Sequence, residues 1–194
     1  MFNCTGTLNN ITSTENKFNS FKGSIGGIVG LMNDGSLSNC KSFDNEFNVS
    51  SSSQTFVGAI SAKANTLNFT NCESYNNNLR IKTLTSDFTT FCAGITANSK
   101  HDNFENCISV NNTIQITSNN YDSFSGGFVS YYEGGGTFRD CISSNNTIIS
   151  MVGPASSQIF ASSSGFIALT DDIFFMNCTS SHNTITADST ETSK

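Results

Sequence analysis

Six cysteines, Cys4, Cys40, Cys72, Cys107, Cys141 and Cys178, return along the chain at spacings of 36, 32, 35, 34 and 37 residues. Five positions after each stands an asparagine: Asn9, Asn45, Asn77, Asn112, Asn146 and Asn183. A period of roughly 20–50 residues held through a whole chain marks a repeat architecture, in which each unit completes its core only against its neighbours. This double return narrows the folds open to the chain more than any other feature.

Five glycine-rich apolar stretches alternate with the cysteines: IGGIVG, VGAISA, CAGITA, SGGFVS and SSGFIA. From the large apolar residue of each (Ile28, Ile60, Ile95, Phe128, Phe166) the next cysteine lies 12 or 13 residues on, whereas the way from cysteine to the next glycine stretch varies from 20 to 25. One half of the unit is therefore rigid and the other carries a loop of variable length. Helical repeats of this period are disfavoured, because Gly-Gly in mid-segment costs about 1 kcal/mol per glycine. The β-branched and aromatic residues favour short strands joined by turns.

Reading down the columns shows which positions face inward. Three before the cysteine stand Met1, Leu37, Phe69, Phe104, Phe138 and Phe175; two after it only Gly6 and serines; seven after it Ile11, Phe47, Leu79, Ile114, Ile148 and Ile185. One after it, Thr5, Lys41, Glu73, Ile108, Ile142 and Thr179 share nothing, as a solvent-facing column would. Alternation of this kind belongs to strands. Like columns stacked about 4.8 Å apart predict an all-β chain: a single right-handed parallel β-helix, or β-solenoid, of about five to six coils. The helix domain is expected over residues 1–187, followed by a polar tail over 188–194. The asparagines are expected to form an amide ladder and the cysteines a row of buried thiols, with cross-coil disulfides as the alternative. Lys41 above Glu73 and Glu105 above Arg139 are expected to pair on the surface. Variable loops near 14–22, 50–55, 82–90, 117–123 and 151–162 should leave on one side.

The residues GGIVGLMNDGSLSNCKSFDNEF, with Gly26, Gly27, Ile28, Val29 and Gly30 followed by Asn39-Cys40, resemble the GLUG-motif repeats of bacterial surface proteins and adhesins. The stretches Gly58-Ala59-Ile60 and Phe69-Thr70-Asn71 are also similar to the repeats of polymorphic outer-membrane β-helix proteins. The resemblance implies a surface-associated, adhesin-like β-helix located extracellularly or at the cell surface. It implies no catalytic residue.

Composition excludes several classes. The net charge is −6 and no Lys/Arg cluster occurs, so the footprint of nucleic-acid binding is missing. No apolar run approaches the roughly 20 residues that span a bilayer, so direct membrane insertion is not expected. The opening MFNCTGTLNN lacks the basic-then-apolar pattern of a signal peptide. Seven Asn-x-Ser/Thr sequons occur, as many as chance supplies in so Asn-, Ser- and Thr-rich a chain.

Chemistry-bearing patterns are weak. There is no C-x-x-C pair, no phosphate-loop motif and no evident partner for His101 or His182, so no cofactor or catalytic set is assigned. The turns after the glycine stretches would gather Asp34, Asp102, Glu133, Asp171 and Asp172 along one edge, a candidate for calcium. The function expected is a non-catalytic structural or adhesive module that binds glycans or proteins through its side loops. The alternative is a carbohydrate-active enzyme or lectin of the pectate-lyase-like β-helix type. Neither end of the repeat carries a sequence that looks like a cap, which points to end-to-end stacking or to continuation in a longer chain.

Overall fold

The structure is a computed structural model, and it describes residues 4–20, 23–84, 88–118, 121–155 and 160–191. Among these, every regular element is a strand and every strand pairing is parallel. The chain winds as a β-solenoid of about five turns of some 34 residues. Four sheets run along its axis. A kinked sheet of nine strands takes in Val29–Ser38, Ser61–Thr70, and, in later coils, pairs such as Thr96–Lys100 and Asn103–Glu105. A narrow sheet stacks six three-residue strands, among them Glu73–Tyr75. A loop-side sheet stacks six longer ones, among them Asn78–Thr83. A glycine sheet stacks five, among them Thr90–Ala93.

Sequence dictates where each coil turns. Non-glycine residues with positive φ recur just before the thiol and four after it: Asn39 and Asp44, Asn71 and Asn76, Asn106 and Asn111, Asp140 and Asn145, Asn177 and His182. Asn and Asp enter the left-handed region most readily because their short side chains bond locally. Each strand between two such residues is thereby limited to three residues.

The interior has two apolar columns with a polar band between them. One column stacks Leu37, Phe69, Phe104 and Phe138 beside Cys40, Cys72, Cys107 and Cys141. The rings of Phe69 and Phe104 lie 4.5 Å apart and those of Phe104 and Phe138 4.7 Å apart, nearly parallel. The other column holds Phe47, Leu79, Ile114 and Ile148, with Cys92 and Val57 facing them. The band is asparagine, serine and glycine. Asn77 donates its main-chain N–H to Asn112 Oδ1 at 2.9 Å and its Nδ2–H to the same oxygen at 3.1 Å. Its Nδ2 also reaches Ser74 Oγ at 3.2 Å and Ser42 O of the preceding coil at 2.8 Å. Asn45, Asn112 and Asn146 repeat the set, and Asn183 repeats its bonds to the serine hydroxyl and to the preceding coil's carbonyl. The ladder satisfies buried amides that would otherwise cost several kcal/mol each.

The first coil departs from the expected alignment. Cys4 pairs with Met32, and Leu8 with Leu37. The chain is therefore shifted by seven residues. Ile11 takes the thiol place, since Lys41 N–H bonds Ile11 O as Glu73 N–H bonds Cys40 O. Asn16 takes the ladder place in place of Asn9: its N–H donates to Asn45 Oδ1 at 3.0 Å. Asn9 is exposed and accepts a bond from Asn39 Nδ2. The reason is backbone conformation. With Cys4 in the thiol place, Leu8 would need positive φ; in the observed register Asn10 and Glu15 take it. Met1 lies outside the described residues.

At the other end, the strand Thr184–Glu191 pairs with Thr147–Ala155 beyond residue 187. The expected polar tail is thus partly strand, because main-chain pairing asks nothing of side-chain polarity. Residues 17–20 are likewise strand and not loop.

Candidate functional site

The outward faces of the sheets are where a ligand can reach in-register side chains. On the loop-side sheet, Asn48, Arg80 and Gln115 stand over one another, and two residues further on so do Ser50, Lys82 and Thr117. Their inward neighbours Phe47, Val49, Leu79, Ile81, Ile114 and Ile116 are buried, which holds these strands rigid. Strand alternation then sends every second residue outward. The two rows enclose a groove of ≈ 310 Å³. It lies at the edge where the chain leaves for the variable loops, after Ser51, Thr83 and Ser118. Parts of these loops, residues 21–22, 85–87, 119–120 and 156–159, fall outside the described residues.

The groove places a guanidinium and an ammonium on successive outward positions of one strand, flanked above and below by amides and hydroxyls. Arg80 contributes to holding the nearby Glu46 carboxyl below its usual range, after the Asn48 Nδ2–H bond at 2.9 Å and the Lys17 ammonium. Asn48 is thereby oriented by a bond to Glu46, two residues back on its own strand. A second groove, ≈ 460 Å³, lies on the kinked sheet between the row Asn68, Asn103, Thr137 and the row Thr70, Glu105, Arg139. Its amides are already engaged: Asn103 Nδ2–H donates to Asn68 Oδ1 and Thr137 N–H to Asn103 Oδ1. Glu105 and Arg139 stand in register there, and Lys41 and Glu73 form an ion pair at 3.0 Å on the narrow sheet.

The acidic edge does not assemble. Asp34 is an exposed corner residue with positive φ, and its row continues as Thr66 and His101. Asp102 stands one residue further, over Leu67, and so faces the core. One residue along a strand reverses the face. There its carboxylate accepts the Leu67 N–H at 2.7 Å, the Ser99 Oγ–H at 2.5 Å and the Lys100 N–H at 3.2 Å. Burial raises it from the ordinary 3.8 to about 7, against the pull of those three donors. Tyr132, also buried, donates its hydroxyl to Asp102 O and is pushed up to about 12 by burial. Glu133 pairs with Lys100 at 2.9 Å, and Asp171 and Asp172 are exposed at the last corner. Among the described residues, no three His, Cys, Asp or Glu come together to hold a metal ion.

Cys40, Cys72, Cys107 and Cys141 are buried free thiols in one row, continued by the half-buried Cys178. Each donates to a carbonyl oxygen two residues back, at 3.2–3.5 Å. Burial raises Cys107 and the separate Cys92 far above the ordinary thiol range. Bonds from Cys107 pull Cys72 and Cys141 the other way, below the ordinary thiol range, but all four row thiols from Cys40 to Cys141 are buried in the core. Cys4 has left the row with the shift of the first coil.

Sequence reasoning missed the Arg80–Lys82 pairing with amides above and below. The signal was available in the alternation of NLRIKT, which puts Asn78, Arg80 and Lys82 on one face. Comparison with protein-family models, with curated proteins and with solved structures finds no match.

Proposed function

We propose that this protein is a non-catalytic β-solenoid binding module of a surface or secreted protein, taking glycan or protein ligands on its loop-side face. The observation that carries this reading is the groove of Asn48, Ser50, Arg80, Lys82, Gln115 and Thr117 beside the loops. Glycans are recognised by planar amides and hydroxyls that bond ring hydroxyls, and by guanidinium forks that clasp a carboxylate in two bonds. The groove holds all of these on strands whose other face is packed, so little order has to be gained on binding. A positive pair on a chain of net charge −6 favours acidic ligands locally. The resemblance to adhesin repeats supports the surface setting.

The test is a glycan array followed by a depolymerisation assay on each polysaccharide bound. The reading expects retention of acidic glycans without release of reducing or unsaturated ends, and loss of retention in the Arg80→Ala, Lys82→Ala double variant. Product release, abolished by one acidic substitution, would establish the lyase or hydrolase alternative instead.

A further inference from the structure

Each coil puts something different into the loop-side groove. The floor is the main chain at Val49 and Ile81, and the two walls are the outward rows Asn48, Arg80, Gln115 and Ser50, Lys82, Thr117. Both rows run along the solenoid axis, and so the groove does too. Neighbouring strands stand about 4.8 Å apart, close to the length that one pyranose ring adds to an extended glycan chain. A glycan lying in the groove therefore sets one ring against each coil, and the strands of Asn48, Arg80 and Gln115 line three successive sites.

The three sites differ in charge. The middle coil supplies both cations, Arg80 from one wall and Lys82 from the other. The coil before it supplies Asn48 and Ser50, and the coil after it Gln115 and Thr117, all uncharged. At the first site a carboxylate is also opposed. Asn48 gives an Nδ2–H to Glu46 Oε1 at 2.9 Å, so a negative charge stands two residues away on the same outward face. Lys17 meets Glu46 at 3.5 Å from the preceding coil, an exposed pair too weak to cancel that charge. Past the third site the rows continue as Ile149 and Met151, which give a sugar hydroxyl no N–H or O–H partner. The polar lining ends there.

We propose, resting on the reading that this groove binds glycans, that it selects chains in which acidic and neutral sugars alternate over chains of consecutive uronic acids. The carboxylate of one hexuronic acid sits between Arg80 and Lys82. The guanidinium clasps it in two bonds, and the ammonium meets it from the other wall as a point charge. The rings on either side are neutral, and their hydroxyls bond Asn48 and Ser50 on one side and Gln115 and Thr117 on the other. Consecutive uronates would press one carboxylate toward Glu46 at the first site and leave another at Gln115 with no cation to meet it. Each would lose water without compensation. Selection then follows where the ligand carries its charge, not how much it carries.

Isothermal titration calorimetry on the 194-residue chain with three hexasaccharides tests this. The first alternates a hexuronic acid with a neutral N-acetylhexosamine, the second is its carboxyl-reduced form, and the third is a homopolymer of galacturonic acid. The alternating probe should bind roughly tenfold or more tightly than either of the others. General attraction of anions to the positive pair predicts the opposite order for the two acidic probes, because the homopolymer carries more charge. Gln115→Lys, which places a cation at the third site, should bring the homopolymer to within about threefold of the alternating probe, and Lys82→Ala should weaken the alternating probe roughly tenfold. Circular dichroism confirms the fold of both variants. A homopolymer that binds as tightly as the alternating probe, a reduced form that binds equally well, or a Gln115→Lys variant with unchanged preference would overturn the proposal while glycan binding by the groove stands. No binding of any of the three would overturn the glycan reading itself, and the proposal with it.

Discussion

Asp102 reaches from its own coil to the main chain of the coil before it: its Oδ1 accepts the Leu67 N–H at 2.7 Å in a place where the neighbouring coil puts a buried leucine. The group sits in the core wall with no cation paired to it among the described residues, and burial lifts it to about 7. A carboxyl raised in the folded state favours folding while protonated. Its contribution is full below the unfolded value of 3.8 and falls as pH rises toward 7, with a loss of up to roughly 4 kcal/mol. Urea unfolding at pH 4, 5.5 and 7 should show wild type losing stability relative to Asp102→Asn over this window. A difference that does not change with pH would show that the carboxyl is not raised.

Gly94 marks where the glycine sheet nearly touches the serine row. A methyl group there would collide with Ser109 Oγ and with Gly127 O of the next coil. Gly94→Ala should therefore cost about 1–3 kcal/mol, as overpacking of a dense core does. Gly135 has open space around its Cβ direction, so Gly135→Ala should stay within about 0.5 kcal/mol of wild type. Equal effects at the two sites would mean that the close approach is absent.

Asn112 accepts from Asn77 and donates to Ser74 O, Ser109 Oγ and Asn146 Oδ1. Removing the side chain orphans the Asn77 N–H and a carbonyl in the interior. Asn112→Ala should lower stability by roughly 2–4 kcal/mol. Asn183→Ala, in the last described coil, where the side chain donates only to Ser143 O and Ser180 Oγ, should cost less than half as much. Chemical denaturation of both variants measures the ratio.

The thiol row should be inert but free. Under denaturing conditions all seven cysteines should titrate with a thiol reagent. In the native protein Cys40, Cys72, Cys92, Cys107 and Cys141 should be protected, and among the row Cys178 should react first because it is only half-buried. A denatured count short by two or four would reveal disulfides in place of the carbonyl-bonded thiols.

Most of the winding could be read before the structure, because side chains that stack must match and their match is visible as columns. Leu37 to Phe138, Asn45 to Asn183 and Ser42 to Ser180 were legible for that reason. The first coil was not. Cys4 and Asn9 carry the right residue types at the right spacing, yet the register follows the positive-φ residues Asn10 and Glu15, a backbone requirement that side-chain columns do not show. Asp102 was misplaced for a similar reason, since a turn of uncertain length hides a one-residue change of face. The groove of Arg80 and Lys82 went unread because outward positions have no partner that forces them to match.

The account rests on the coils lying in register. Nuclear Overhauser contacts from the main chain of Ser74 test it directly, since in a parallel sheet its α and amide protons approach those of the residues above and below. The expected contacts join Ser74 to Ser42 on one side and to Ser109 on the other. Contacts confined to near neighbours in sequence, or joining Ser74 to any other row, would contradict it.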